Sequence, residues 1–525
     1  MTSMTLLDST LRDGAQGENI SFTVADKVKI ARALDRLGVG YIEAGNPGAN
    51  PKDAEFFRQM REQPLQTARL TAFGSTCRPG RAAEGDEQLA ALLAAGTPAV
   101  SVFGKSSLLH VREVLHTAPE ENLRMIADTV AHCKAAGREV LFDAEHFFDG
   151  FALDRDYALE TLRTAANAGA DWVVLCDTNG ASFGDRIAEA TAAAVRAVRV
   201  PVGIHCHNDC GLAVANALAA MQAGARQIQG TLLGFGERCG NTNLSTVIGV
   251  LQAKRGVRCI PADQLCRLTP TAAYVAEIAN LALDNAMPFV GKSAFAHKGG
   301  MHADGVLKNP ASFEHMLPQT VGNSRSILLS EQSGRSALLN RLSAVVPGLT
   351  KGSEELRRLS ELLKERELDG YMYEAAVASF ELLAIRELGR LETFFEVVSF
   401  RTLGEERGGD ESGGTVNSSA LVKVRVGNEY AITADEGNGP VNALDKALRK
   451  AVLYFYPSLG NLRLTDFKVR VISPEEATGA RVRVLIESTD GRSVWTTVGV
   501  NCDIIHASLD ALVDSIAYKL LMDSR

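Results

Sequence analysis

Thr5-Leu6-Leu7-Asp8-Ser9-Thr10-Leu11-Arg12-Asp13-Gly14-Ala15-Gln16 is the stretch on which the fold turns. The short apolar run 5–7 reads as a strand, and a polar, charged segment follows it. A doubly wound open sheet normally carries a Gly-rich phosphate loop after its first strand, and here Arg12-Asp13-Gly14 stands in that place. Strand-like runs recur at 40–43, 70–73, 99–103, 140–143, 172–176, 202–205 and 227–231. Amphipathic helical patterns follow most of them, at 24–37, 53–61, 87–95, 120–136 and 154–168. Eight strand–helix units in roughly 250 residues predict an α/β fold, a (β/α)8 TIM barrel.

The chain has 525 residues, too many for one core, and divides by pattern. Residues 1–260 are the expected barrel, and 261–402 read as mainly helical linker subdomains with a Gly-, His- and Lys-rich loop over 291–308. Residues 403–419, with Gly404-Glu405-Glu406-Arg407-Gly408-Gly409-Asp410-Glu411-Ser412-Gly413-Gly414, are expected to be a flexible linker. The rest, 420–525, contains an internal repeat. Ala420-Leu421-Val422-Lys423-Val424-Arg425-Val426 opens one copy and Ala480-Arg481-Val482-Arg483-Val484-Leu485-Ile486 the other. Each copy reads as strand, strand and helix, with helices at 442–454 and 507–519, so a C-terminal α+β domain with pseudo-twofold symmetry is expected. Such a domain suits pairing with a second copy, or holding a small effector.

Composition bounds the partners. Hydrophobic residues are 46% and charged residues 22%, and the net charge of −8 gives no electrostatic reason to expect nucleic acid or an anionic membrane. No apolar run reaches the ~20 residues of a membrane span, and the first residues show no leader pattern. Nine scattered cysteines without a C-x-x-C pair argue against a disulfide framework and for a cytoplasmic protein.

In a (β/α)8 barrel the chemistry sits at the C-terminal ends of the strands. Arg12, Asp13 and Gln16 fall there after the first run. In the seventh, Val202-Gly203-Ile204-His205-Cys206-His207, side chains two apart share a face, so His205 and His207 point together and Cys206 points away. Asp13 supplies a hard oxygen and the histidines two nitrogens. Asn241, in Gly236-Glu237-Arg238-Cys239-Gly240-Asn241, can add an amide oxygen. That set suits a divalent metal, Mn²⁺, Mg²⁺ or Zn²⁺. Glu43, Glu145-His146 and Asp177-Thr178-Asn179 end other strands and bring polar groups to the same mouth. A metal there can polarise the carbonyl of a 2-keto acid, with Arg12 steadying the oxyanion.

Three motifs carry a resemblance. Leu11-Arg12-Asp13-Gly14-Ala15-Gln16 followed after ten intervening residues by Lys27, His205-Cys206-His207-Asn208-Asp209-Cys210-Gly211, and Gly236-Glu237-Arg238-Cys239-Gly240-Asn241 are similar to signatures of the 2-isopropylmalate, homocitrate and citramalate synthases, the DRE-TIM metallolyases. The resemblance covers essentially the whole chain, since the C-terminal repeat looks like that family's allosteric dimerisation domain. Residues 41–53, 142–150 and 297–302 look most like its citramalate branch. The implied reaction joins acetyl-CoA, pyruvate and water into (R)-citramalate and CoA, on a route to isoleucine. The alternative is 2-isopropylmalate synthesis from 2-ketoisovalerate, with homocitrate synthesis or acyl-CoA cleavage behind it. By the same resemblance Asp13, His205, His207 and Asn241 form the metal site. Arg12, Glu145 and His302 are catalytic, His302 from a partner subunit, and Arg12, Gln16, Glu43 and Thr178 bind substrate. A homodimer and an amino-acid feedback effector, isoleucine or leucine, are implied as well. Phe103, Phe147 and Leu175, near strand ends, are the side chains expected to crowd out a larger keto acid. One departure concerns the effector: the family more often has Asn at Asp503 and Glu at His506.

Overall fold

The computed structural model describes residues 3–298, 300–328, 335–343, 345–405, 417–473 and 479–525. The chain forms two compact units, residues 1–295 with 315–325, and residues 296–314 with 326–525.

The first unit is the expected barrel. Its strands are β1 Thr5–Asp8, β2 Tyr41–Glu43, β3 Arg69–Ser75, β4 Ala99–Lys105, β5 Glu139–Glu145, β6 Trp172–Asp177, β7 Val202–Cys206 and β8 Gln227–Gly230. Each pairs in parallel with the next, and β8 returns to β1 in the register Leu7↔Gln229, closing the sheet. Strands β3, β4 and β5 each run two residues past the predicted C-terminal end, taking in Ser75, Lys105 and Glu145. Hydrophobic pattern ends where the mouth begins, because strand positions there face a polar cavity rather than a core.

The helices form where their signals lie. Thr23 and Asp26 make a reciprocal capping box for the helix Val24–Leu37, and left-handed Gly38 ends it. Asn50 caps Pro51–Glu62, with proline in the first turn. Their apolar faces (Ile30, Leu34, Phe56, Phe57, Met60) are buried in the main core. One buried ion pair fixes this corner. Lys27 Nζ pairs with Asp53 and donates to the Ala44 carbonyl at 2.8 Å, while Asp53 accepts from the Asn46 N–H at 3.0 Å. Gly45, at φ +144°, passes so close that a Cβ would lie 2.3 Å from Asp53 Cγ. Burial pulls the Lys27 pKa below its ordinary value even with Asp53 beside it. Removing one partner strands the other charge. Lys27→Met is expected to destabilise the barrel by about 3–5 kcal/mol in a urea titration. The double variant Lys27→Met/Asp53→Leu should recover much of that loss.

The second unit begins with a two-residue parallel pair, β9 Ala296–His297 and β10 Ser326–Ile327. The helices Gly300–Lys308, Arg335–Leu342, Glu354–Leu368 and Val377–Glu387 accompany it. The C-terminal repeat follows. Strands β11 Glu396–Glu405, β12 Asn417–Val426 and β13 Glu429–Gly437 form one antiparallel sheet with the helix Pro440–Leu453. Strands β14 Arg463–Val471, β15 Val482–Thr489 and β16 Val494–Asn501 form the other with Ile504–Asp523. Each copy therefore has three strands where the sequence indicates two. The missed β14 is exposed along nearly its whole length, so it carries no clear apolar signal. Val422, Leu444, Leu448, Val484, Ile486, Leu512 and Ile516 share one core.

The segment expected as linker, 403–419, is strand at both ends: Leu403, Gly404 and Glu405 pair with Ser419, Ser418 and Asn417. Residues 406–416 lie outside the described residues. The compact unit that contains the barrel takes in residues up to 295. Of the two departures, Asp503 caps the last helix, accepting from the Ile505 N–H at 2.7 Å, and His506 in the first turn meets it at 3.2 Å.

Candidate active site

The barrel mouth holds a cavity of about 210 Å³ lined by Arg12, Asp13, Gln16, Phe73, Phe103, Asp143, Glu145, Cys176, Thr178, His205, His207 and Glu237. Seven of the expected site residues (Arg12, Asp13, Gln16, Glu145, Thr178, His205 and His207) line it.

Asp13, His205 and His207 offer three ligand atoms within 4.8 Å of one another, all buried. His205 Nε2 lies 3.3 Å from Asp13 Oδ2. Strand alternation places both imidazoles on the cavity side and leaves Cys206 in the core on the other face. Burial works against ionising Asp13, but Arg12 and His205 outweigh it and hold its carboxyl well below the usual range. Burial also opposes protonating His205, yet the Asp13 hydrogen bond and charge keep its pKa above the ordinary value. Burial, with the charge of His205 beside it, pushes His207 down to about 4. His207 is therefore a neutral imidazole at neutral pH, as a metal ligand must be.

The donor set fits a divalent ion on a further ground. His207 Nδ1 and Asn241 Oδ1 are buried without a partner among the described residues. The Asn241 amide nitrogen is held by the Phe235 carbonyl at 3.0 Å, which leaves the oxygen free, and Asn241 bridges the backbone of His207. Gly236 permits the approach, since at φ +155° its Cβ would fall 2.2 Å from Asn241 Nδ2. A buried oxygen left unpaired costs about 1–3 kcal/mol, which a cation offsets.

Arg12 is gripped from three sides. Its Nε donates to Glu43 Oε1 at 2.6 Å, its Nη1 meets Asp13 Oδ2 at 3.1 Å, and the guanidinium lies 3.9 Å from the Phe73 ring centroid. Glu43 thus sits beneath Arg12, where it also accepts from Ser9 Oγ at 2.7 Å, and it does not line the cavity. The Thr178 hydroxyl accepts from the His146 N–H at 2.9 Å, so its own hydrogen is free for a substrate oxygen. His146 holds a left-handed backbone at φ 57°, strain of the kind stored at functional sites. His302 lies in the second unit, on the helix Gly300–Lys308, stacked on Phe313 at 4.2 Å.

Of the three side chains expected to crowd the pocket, Phe103 lines it, stacked on Phe73 at 5.2 Å. Phe147 and Leu175 do not. Both are fully buried in the core, because Cys176 takes the cavity face of β6 and its neighbour Leu175 must point outward. Sequence reasoning also missed Lys105, paired with Glu145 across adjacent strand ends, and Arg238, which ties the Asn241 loop to Asp209 and to the Thr178 carbonyl. The charge of each, beside an identified motif, was the available signal.

Two buried carboxyls lie deeper. Burial, aided by the charge on Glu43, pushes both Asp8 and Asp143 up to about 7. Asp8 Oδ1 accepts from the Thr10 N–H at 2.9 Å, and its Oδ2 has no partner among the described residues. A carboxyl raised in the folded state stabilises it fully at low pH, and that contribution is lost as pH rises through about 7. Asp8→Asn should therefore flatten the decline in stability between pH 5 and pH 8 by about 2–3 kcal/mol, measured with chelator present. An unchanged pH slope would assign the decline to other groups.

The HMGL-like family matches residues 3–275. The homocitrate synthase post-HMGL domain-like family matches 289–367, and the LeuA allosteric (dimerisation) domain 374–520. The (R)-citramalate synthase of Synechocystis sp. is 48% identical over 527 residues, covering 99% of this chain and 96% of its own. That of Aquifex aeolicus is 49% identical over 519 residues, covering 99% and 98%. The 2-isopropylmalate synthase of Pseudoalteromonas atlantica is 31% identical over 536 residues, covering 99% and 96%.

Proposed function

Since the chain belongs to the HMGL-like family, we propose that its barrel joins acetyl-CoA, pyruvate and water into (R)-citramalate and CoA, opening a route to isoleucine. The observation that carries this reading is the gap in relatedness. Five (R)-citramalate synthases are 41–49% identical over 99% of the chain, against 30–33% for three 2-isopropylmalate synthases.

Asp13, His205, His207 and Asn241 are the residues that would hold a divalent metal, Mn²⁺, Mg²⁺ or Zn²⁺. When bound, such an ion supplies Lewis-acid polarisation of a keto carbonyl. The remaining roles fall to side chains of the cavity. Thr178 and Gln16 orient the keto acid, the hydroxyl hydrogen of Thr178 donating to its carboxylate. Glu145, a cavity carboxylate held by Lys105, takes a proton from the acetyl methyl group. The resulting enolate carbon attacks C2 of the keto acid, and the electron pair of the carbonyl becomes an oxyanion. Arg12 faces it with a guanidinium fixed in place by Glu43 and Phe73, so little reorganisation is needed as the charge forms. The oxyanion takes up a proton to become the product hydroxyl, and water then cleaves the thioester, leaving the product carboxylate and CoA as the free thiol. His302 contributes from a partner subunit of a homodimer, and Phe103 with Phe73 narrows the pocket around the methyl of pyruvate.

The C-terminal repeat is read as the dimerisation and feedback domain, taking isoleucine or leucine, in keeping with its match to the LeuA allosteric domain. No helix among the described residues is long and apolar enough to cross a membrane, and all nine cysteines are free. Both observations support a cytoplasmic enzyme. The test is CoA release by purified protein given acetyl-CoA with pyruvate, 2-ketoisovalerate or 2-ketoglutarate, with and without chelator. A chelator-sensitive preference for pyruvate is expected, and preference for 2-ketoisovalerate would overturn the reading.

A further inference from the structure

Below the metal cluster lies a buried amide that the mechanism above does not use. Gln229, on β8, is 1% exposed, and the barrel register sets it directly beside His205 of β7. Its Oε1 is 3.1 Å from His205 Nδ1. Its Nε2 makes two contacts, to Asp143 Oδ1 at 3.3 Å and to Gln227 Oε1 at 3.2 Å. Both partners of the nitrogen are acceptors, so both amide hydrogens are committed. With Asp143 as a carboxylate and the Gln227 oxygen facing it, turning the Gln229 amide over alone would set its oxygen against two other oxygens and its NH2 against the imidazole, so this arrangement favours the oxygen toward His205.

A carbonyl oxygen facing Nδ1 requires that Nδ1 carry the hydrogen. The other nitrogen, Nε2, then presents its lone pair toward Asp13 and the metal cluster. We propose that Gln229 is a positioning residue that sets the tautomer and ring angle of His205, and that Asp143, across the barrel on β5, holds Gln229 in the orientation this requires. It rests on the metal reading of Asp13, His205 and His207. Ligand histidines commonly donate their second N–H to a carboxylate or carbonyl. Here the carboxylate stands one residue further away and acts through an amide. The proposal thus assigns the ordering of the site to His205 and its two buried neighbours.

The test is calorimetric titration of Mn²⁺ into the full-length, chelator-treated protein. Gln229→Met keeps volume but loses both the acceptor for Nδ1 and the donor to Asp143, and it should bind Mn²⁺ about 10–100-fold more weakly. Asp143→Leu leaves the amide held by Gln227 alone, and should weaken binding about tenfold, which keeps the proposal open to test if Gln229→Met does not fold. The decisive variant is the exchange Gln229→Glu with Asp143→Asn. It swaps carboxylate and amide along the same hydrogen-bond path and should restore affinity to within about threefold of the parent protein. Parent-like affinity in Gln229→Met or in Asp143→Leu would overturn the proposal, and so would failure of the exchange to recover affinity. If the parent protein itself bound no Mn²⁺, the metal reading would fail instead, and the two failures are distinct.

Discussion

Replacing Asp13 by asparagine is expected to lower CoA release by about 10³-fold or more while leaving the barrel folded. Asparagine matches aspartate in volume, so packing at this buried position is preserved. What changes is charge. Asp13 is the one anion of the cluster, and Arg12 and His205 hold it ionised. Without it two neutral imidazoles face the Arg12 guanidinium, and a cation loses its main electrostatic attraction. Lewis-acid polarisation of a carbonyl contributes several kcal/mol to a barrier, and about 4 kcal/mol is a factor of 10³ in rate. The check is kcat against Mn²⁺ concentration for both proteins. A loss below tenfold at saturating metal would mean that Asp13 does not hold the ion.

Glu145→Gln carries the second large effect, a fall in kcat of about 10²–10⁴ with a smaller change in the KM for pyruvate. The substitution keeps size and one oxygen but removes the proton acceptor. Lys105 gives Glu145 its position, closing the ends of β4 and β5 over the cavity through the register Lys105↔Glu145. The measurement that isolates this step is exchange of the acetyl-CoA methyl hydrogens with deuterium in the presence of a non-condensing keto-acid analogue. The variant should exchange at least about 10²-fold more slowly. Exchange at the parent rate would move the base to another residue.

Much of this architecture is legible in the chain itself, for reasons that differ by element. Barrel strands read clearly because they are buried on both faces, and their apolar runs are nearly continuous. Asp13, His205 and His207 are legible because alternation and strand polarity place them without knowledge of any neighbour. Glu43 is placed at the right strand end but serves beneath Arg12 rather than on the cavity wall. The contacts between strands are a different matter. That Lys105 meets Glu145, or that Gln229 separates Asp143 from His205, depends on strand pairing and on which side chains turn inward at one level of the barrel. No local pattern encodes either. Phe147 and Leu175 are misplaced at the sequence level for the same reason: nearness to a strand end does not decide which face a side chain takes. The outer strands of the C-terminal repeat are hidden by their exposure, since a strand with little buried face alternates weakly.

We propose that Asp13, His205 and His207 together hold a divalent ion to which a 2-keto acid binds. Manganese anomalous scattering from crystals soaked with Mn²⁺ and pyruvate tests it most directly. One strong peak is expected at the barrel mouth, within about 2.0–2.3 Å of an Asp13 oxygen and of one nitrogen from each histidine, with pyruvate density against it. A peak elsewhere, or none at a manganese concentration that supports turnover, would contradict it.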